Sequence, residues 1–298
     1  MSARSAFRGA GTALVTPFTK EGALDETALR RLVRRQVDEG IDFLVPCGTT
    51  GETPTLSAQE QERVVVATLE EARGRVPVLA GAGSNDTTKA MEQARFMAGL
   101  GVAGVLSVGP YYNKPTPEGF FRHFSAIADA SPVPVVIYNV PGRTGSNIDA
   151  RTLLRLAEHP NLAAVKEASG NLGQIMEILR DRPAGFSVFS GDDAFTLAMM
   201  ALGAEGVISV VSNQVPREMH ELAEACLRGD LALARRLHNR LLDLMNINFL
   251  ESSPIPVKAS LALLGLCEES FRLPLCPPRD STREALRAAL RTLGRLET

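Results

Sequence analysis

The chain has 298 residues, of which 45% are hydrophobic and 22% charged, and its formal net charge is −2. This composition is ordinary for a soluble globular protein with a sizeable core, and the near-zero charge gives no general attraction to nucleic acid or anionic membranes. Its four cysteines lack CxxC or zinc-site spacing, which favours a reducing compartment over a disulfide scaffold.

The first 15 residues contain arginines but no apolar segment of signal-peptide length. Apolar runs elsewhere are too short to span a bilayer. We therefore expect a soluble, cytoplasmic protein that contacts neither membrane nor nucleic acid.

Short β-rich runs recur eight times, and a helix-like segment follows each of them. Most are continuously apolar, which is typical of parallel strands covered on both faces. The predicted strands are residues 12–18, 43–48, 76–83, 104–110, 133–141, 162–168, 186–193 and 206–212.

Helix-start signals lie in the gaps between these strands. Ser57 and Glu60 have the spacing of a capping box, and Thr116 is an N-cap candidate followed by Pro117. Three further residues suit the beginning of a helix: Asp149, Asn171 and Pro216.

Eight consecutive βα units predict an α/β fold, a (β/α)8 TIM barrel, as a catalytic domain over residues 1–229. An open sheet of the same elements stays an alternative, because periodicity alone does not distinguish the two. Residues 230–298 contain helical patterns and no strand pattern, so we predict a C-terminal helical domain there.

Two cofactor patterns fail on inspection. Residues 99–104 match GxGxxG, but they end a predicted helix and lead into a strand, the reverse of a dinucleotide site. Asp192 and Asp193 after the seventh strand would repel a phosphate at the position where barrels commonly bind one. The histidines fall on predicted helices or helix ends, where packing or surface roles are expected; they are His123, His159, His220 and His238. We therefore predict neither a metal nor a nucleotide cofactor.

Lys166 is the outstanding candidate for chemistry, since barrel enzymes place reactive groups at the C-terminal ends of strands. It follows the apolar run 162–165, whereas the other lysines belong to polar loops or helices and are expected to be solvated: Lys20, Lys89, Lys114 and Lys258. Strand alternation places Ala164, Lys166 and Ala168 on one face and Val165 and Glu167 on the other.

Desolvation at such a position would lower the pKa of the Lys166 amine, as a nucleophile requires. The alternative is a structural lysine buried in an ion pair. Position alone does not decide between them.

Other strand ends offer partners for an amine. Thr49 and Thr50 lie on a glycine-rich turn whose amides suit a carboxylate. All three tyrosines, Tyr111, Tyr112 and Tyr138, lie near this end and are suitable proton carriers, although tyrosine is common in strands for other reasons. Arg143 can bind a second carboxylate through two hydrogen bonds or can be a surface residue.

Together these segments resemble the dihydrodipicolinate synthase family of the pyruvate-dependent class I aldolase superfamily, from about Gly11 to Leu266. Several motifs in the family's order carry the resemblance. They are GTTGE (48–52), YYNKPTPEG (111–119), YNVPGRTG (138–145), VKEASG (165–170) and SPIPVK (253–258).

The resemblance implies a lyase of the diaminopimelate and lysine pathway. It would condense pyruvate with L-aspartate-4-semialdehyde to 4-hydroxy-tetrahydrodipicolinate through an imine on Lys166, without a separate cofactor. The remaining roles that it implies are proton transfer by Tyr138, Thr49 and Tyr112, pyruvate binding by Thr50, Gly191 and the backbone of Ile208, and binding of the semialdehyde carboxylate by Arg143. Tyr112 would come from a neighbouring subunit, which implies a homotetramer built as a dimer of dimers.

Arg143 and the GTTGE turn favour this reaction over the sialic acid and keto-deoxy sugar acid aldolases of the superfamily. Those sister activities, and an inactive homologue kept for binding or regulation, stay alternatives. Lysine-inhibited members hold lysine with histidines and an acid, where this chain has Ala58, Gln61 and Lys89, although Asn85 and Tyr111 remain. We therefore expect feedback inhibition by lysine to be weak or absent.

Overall fold

A computed structural model of the chain describes residues 7–297. Its strands are β1 (Gly9–Ala13), β2 (Phe43–Val45), β3 (Leu79–Gly81), β4 (Gly104–Val108), β5 (Val135–Asn139), β6 (Leu162–Glu167), β7 (Ser187–Ser190) and β8 (Gly206–Ser209). Its helices are α1 (Glu26–Asp38), α2 (Ala58–Ala72), α3 (Thr87–Gly99), α4 (Pro117–Ala130), α5 (Pro141–Thr144), α6 (Ala150–Ala157), α7 (Leu172–Asp181), α8 (Thr196–Ala201), α9 (Pro216–Leu227), α10 (Leu231–Ile247), α11 (Ile255–Leu263) and α12 (Asp280–Thr292).

The eight strands form one parallel sheet in the order β2-β1-β8-β7-β6-β5-β4-β3. Its two ends meet, because Leu44 of β2 forms a parallel bridge with Val78 and the Gly81 amide donates to the Pro46 carbonyl at 2.9 Å. The sheet is therefore closed. The predicted TIM barrel is confirmed and the open-sheet alternative is wrong.

The predicted helix starts are confirmed by their cap hydrogen bonds. The Ser57 hydroxyl accepts from the Glu60 amide at 3.2 Å while the Glu60 carboxylate accepts from the Ser57 amide at 2.9 Å. Side chains of Thr116, Asp149 and Asn171 each accept a first-turn amide. Pro216 is the first residue of α9.

The first strand differs from its prediction. Residues 12–18 were expected, but β1 covers Gly9–Ala13, and most of the predicted range is loop. The sequence did not indicate a strand over this range because glycine has low β propensity. Glycine is required at position 11, because a Cβ there would lie 2.1 Å from the Phe43 ring, which fills the space beside β1.

Hydrophobic side chains form an inner and an outer layer around the barrel wall. The inner cluster includes Phe43, Leu106, Ala164 and Phe189, and the outer layer, which includes Val165, lies between strands and helices. This arrangement confirms the predicted alternation of β6 and directs Lys166 toward the barrel interior.

After Gly229 the described residues contain three helices, α10 to α12, joined by loops, and no strand, as predicted. This segment also packs on the barrel, since Val257 and Leu261 of α11 share a buried cluster with Val15 and Val210, which follow β1 and β8. The beginning of α11 therefore lies at the C-terminal end of the strands. The boundary between domains at residues 229 and 230 stays a prediction.

Candidate active site

Lys166 lies near the end of β6 with only 5% of its surface exposed. It is paired in register with Tyr138 of β5, and its Nζ atom lies 4.3 Å from the centre of the Tyr138 ring. Two neighbouring strands thus hold an amine and a phenol against each other. This contact is fixed by backbone pairing rather than by a flexible loop.

The amine of Lys166 is buried without a salt bridge. Within residues 7–297 no carboxylate lies close enough to form an ion pair with it, so the structural alternative of a buried ion pair is wrong for this residue. Burial lowers the pKa of Lys166 to about 8, with Asp193 opposing and Arg143 assisting that shift. Burial also raises the pKa of Tyr138 to about 12. The phenol is therefore protonated at neutral pH, and a usable fraction of the amine is neutral.

Gly191, directly after β7, leaves the room that Lys166 occupies. A Cβ at this position would lie 2.8 Å from the Cβ of Ala168 and 3.1 Å from the Cε of Lys166. Ile208 of β8 is 1% exposed and belongs to the inner cluster rather than to the pocket wall. Only its backbone is expected to serve the site.

Thr49 and Thr50 form a single 3-10 turn with Gly51 after β2. Thr50 is buried and Thr49 is exposed. Both line a pocket together with Tyr138, Arg143, Lys166 and Gly191. The structure thus brings together residues at or just after the ends of β2, β5, β6 and β7 at one end of the barrel.

Arg143 lies on the short helix α5 and donates from Nη2 to the Ser253 carbonyl at 3.0 Å. Its remaining donors are free to bind an anion at the pocket. Tyr112 is the predicted residue that lies apart, because it is 91% exposed and has a left-handed backbone with φ of +70°. Within one chain it does not line the pocket of Lys166.

One lysine was predicted wrongly. Lys258 was expected to be solvated, yet its side chain on α11 is 0% exposed, and its Nζ lies 2.6 Å from the Glu52 carboxylate. Burial lowers the pKa of Lys258, and Glu52 opposes that shift. The apolar residues on both sides of the lysine in IPVKASLALL could have indicated burial, since they predict a helix that is covered on more than one face.

Two buried carboxylates near the pocket were also not assigned from the sequence. Asp193 accepts the amides of Val210 and Val211 at 3.0 and 2.9 Å, and burial raises its pKa to about 6. Glu167, on the outer face as predicted, accepts the Ser169 amide at 2.7 Å and the Asn139 side chain at 2.9 Å. Both carboxylates fix loops beside Lys166.

The histidines lie where the sequence placed them, on helices or at a helix end. Two of them contact carboxylates, with His159 3.0 Å from Asp129 and His220 3.1 Å from Asp42. Among residues 7–297 no group of three or more potential ligands is arranged to hold a metal ion. In the same part of the chain no helix has both the length and the apolar character needed to cross a bilayer.

Known proteins resemble this chain in both sequence and structure. Residues 6–293 match the model of the Dihydrodipicolinate synthetase family. The chain belongs to this family. A curated 4-hydroxy-tetrahydrodipicolinate synthase from Koribacter versatilis (strain Ellin345) is 56% identical to it, over 94% of this chain and 93% of the relative.

Solved structures of the family share the fold over 97% of the chain. The dihydrodipicolinate synthase of Aquifex aeolicus superposes with a TM-score of 0.94 at 44% identity, over 97% of this chain and 98% of its own. The chloride-inhibited enzyme of Acinetobacter baumannii, solved in complex with pyruvate, gives 0.95 at 40% identity, over 97% and 99%. The family resemblance noted in the sequence motifs is confirmed.

Proposed function

We propose that this chain catalyses the condensation of pyruvate with L-aspartate-4-semialdehyde to 4-hydroxy-tetrahydrodipicolinate, with Lys166 as the Schiff-base lysine. The observation that carries the proposal is the buried amine of Lys166, which has no ion pair among residues 7–297 and lies 4.3 Å from the centre of the Tyr138 ring. Membership of the family and the names of its curated relatives support the same reaction.

In the first step the neutral amine of Lys166 attacks the ketone carbon of pyruvate. The carbinolamine then loses water to give the imine, which requires a proton on the departing oxygen. We assign this proton transfer to Tyr138, whose ring centre lies 4.3 Å from the amine. Thr49 would connect Tyr138 to Tyr112 of a neighbouring subunit and so link the phenol to solvent.

The carboxylate of pyruvate would bind at the turn after β2. The Thr50 hydroxyl, which lines the pocket with Gly191, would donate to this carboxylate, and the backbone at Gly191 and Ile208 would bind it as well. This orientation would place the pyruvate ketone over Lys166. Loss of a methyl proton then converts the imine to the enamine.

The second substrate would enter beside Arg143. Its carboxylate suits the guanidinium, and the enamine carbon attacks its aldehyde to form the new carbon–carbon bond. The substrate's amine then replaces Lys166 on the former ketone carbon, which closes the ring and releases the lysine. No metal or cofactor is needed in this sequence of steps.

We also propose a homotetramer, a dimer of dimers, in the cytoplasm, without nucleic-acid or membrane partners. The exposed Tyr112 supports the dimer, since a tyrosine that is 91% exposed and lies outside the Lys166 pocket of its own chain is available to complete a neighbour's site. Light scattering should give four times the mass of the chain.

Weak or absent inhibition by lysine stays part of the proposal. A second cavity beside the active site is lined by Gln61, Lys89 and Tyr111, and the Asn85 amide donates to the Tyr111 carbonyl at 3.2 Å. Lys89 would repel the ammonium group of a bound lysine. A fall in activity at micromolar lysine would contradict this part.

The proposed reaction is tested by a coupled assay with pyruvate, aspartate semialdehyde and the reductase that consumes the product. We expect oxidation of the reductase cofactor that depends on both substrates. Sister aldolases of the superfamily would instead act on sialic acid or keto-deoxy sugar acids. Turnover of those compounds, without turnover of the semialdehyde, would assign the chain to the alternative.

A further inference from the structure

The buried pair of Glu52 and Lys258 joins two distant parts of the chain at the edge of the pocket. Lys258 Nζ lies 2.6 Å from one carboxylate oxygen of Glu52, and the backbone amide of Arg272 donates to the other at 3.3 Å. Lys258 Nζ also lies 4.0 Å from the centre of the Phe18 ring. Both oxygens of Glu52 are therefore held by the C-terminal helical segment.

Glu52 directly follows the turn that carries Thr49 and Thr50. Its amide donates to the Thr49 carbonyl at 3.1 Å, and its backbone is left-handed, with φ of +52°. Residues other than glycine rarely adopt this conformation, and they keep it only where surrounding contacts impose it. The contacts that hold the Glu52 side chain are those to Lys258 and Arg272.

The same C-terminal segment reaches the other side of the pocket. The Ser253 carbonyl, two residues before α11, accepts from Arg143. Residues 253–258 therefore contact both the turn after β2 and the arginine after β5.

We propose that the Glu52–Lys258 pair is a positioning element that fixes the Thr49–Thr50 turn for pyruvate. This inference rests on the proposed function, in which that turn binds the pyruvate carboxylate. Neither Glu52 nor Lys258 contacts substrate in this account. They act through the backbone of the turn, and the C-terminal helical segment is thereby part of the active site.

The test uses the full-length variant E52Q/K258M, which removes both charges while nearly preserving volume. Such paired replacements of a buried ion pair often leave stability unchanged. The measurement is the pyruvate concentration that gives half-maximal trapping by cyanoborohydride. We expect it to rise at least about tenfold, because a small displacement of positioning groups has effects of this size or larger.

A second variant, E52G/K258M, asks whether the pair acts through the backbone, since glycine adopts the left-handed conformation without steric cost. It should bind pyruvate more tightly than E52Q/K258M does, although it has no pair. R182M/E205Q is the control, because it removes the ion pair of Arg182 and Glu205 before β7 and β8, at the opposite end of the barrel. Its half-maximal concentration should equal that of the unmodified protein.

The outcomes separate the inference from the proposed function. No trapping in the unmodified protein would refute the proposed function itself. Normal trapping there, together with an unchanged half-maximal concentration in folded E52Q/K258M, would overturn only the positioning role. An E52G/K258M variant that folds but binds pyruvate no better than E52Q/K258M would overturn it as well.

Discussion

The two buried lysines of this protein differ in their partners. Lys166 is 5% exposed and Lys258 is 0% exposed, so both amines are removed from water. Lys258 is compensated by Glu52 at 2.6 Å, whereas Lys166 has no ion pair within residues 7–297. Burial is thus common to both, and the presence of a carboxylate separates them.

The difference separates a reactive amine from a structural one. Desolvation without a counter-ion lowers the pKa of Lys166 to about 8 and leaves a nucleophile near neutral pH. A carboxylate in contact favours the charged form, which cannot attack a ketone. A buried lysine therefore indicates imine chemistry only when no carboxylate in contact compensates its charge.

The largest expected effect is on activity in Lys166→Met. It should lower kcat by at least about 1000-fold, which is the scale on which other enzymes lose rate with their nucleophile. Its melting temperature should not fall, because the change removes a desolvated and unpaired charge. Steady-state kinetics and thermal unfolding measure the two quantities. If Lys166→Met keeps its activity, Lys166 is not the reactive lysine.

Lys258→Met should instead lose stability, together with the weaker pyruvate binding expected when the Thr49–Thr50 turn loses its support. It leaves the Glu52 carboxylate buried without its partner, which costs about 3–5 kcal/mol in comparable cases. Thermal unfolding should reveal a clearly lower melting temperature than that of Lys166→Met. Equal melting temperatures for the two variants would show that the ion pair contributes nothing to stability.

Tyr138→Phe tests the second half of the reactive pair. The ring that lies 4.3 Å from Lys166 remains, while the hydroxyl that transfers protons is lost. We expect kcat to fall by about 10²–10⁴-fold, as is usual for a general acid–base group. Stopped-flow measurement of imine formation should locate the loss there. An unchanged rate would remove Tyr138 from the mechanism.

The smallest effect concerns pH and the carboxylate of Asp193. Trapping of the imine should increase with pH through a midpoint of about 8, because the neutral amine is the reactive form. Asp193 raises the pKa of Lys166, so Asp193→Asn should lower that pKa and move the midpoint to lower pH. A shift to higher pH would have the wrong sign and contradict this electrostatic account.

Much of the fold could be predicted from the sequence, because local signals and the barrel agree. Continuous apolar runs marked the strands, and Ser57, Thr116, Asp149 and Asn171 marked helix starts through short-range capping that needs no tertiary contact. The extent of β1 could not be predicted in this way, since a Cβ at Gly9 would overlap the Asp42 side chain and a Cβ at Gly11 would overlap the Phe43 ring, and neither contact is visible in the local sequence pattern.

The site was predictable where side-chain direction follows from strand alternation, as for Lys166 and Glu167. It was not predictable where the deciding partner is remote in sequence. Glu52 and Lys258 are 206 residues apart, and no local pattern around Lys258 identifies Glu52 as its ion-pair partner. Long-range pairing of this kind becomes visible only when the barrel brings the two segments together.

The most direct measurement is reduction of the intact protein with cyanoborohydride in the presence of pyruvate, followed by peptide mass mapping. The account predicts one reduced pyruvate adduct, on the peptide that contains Lys166, and an unmodified Lys258 peptide. An adduct on Lys258, or no adduct on Lys166, would contradict it.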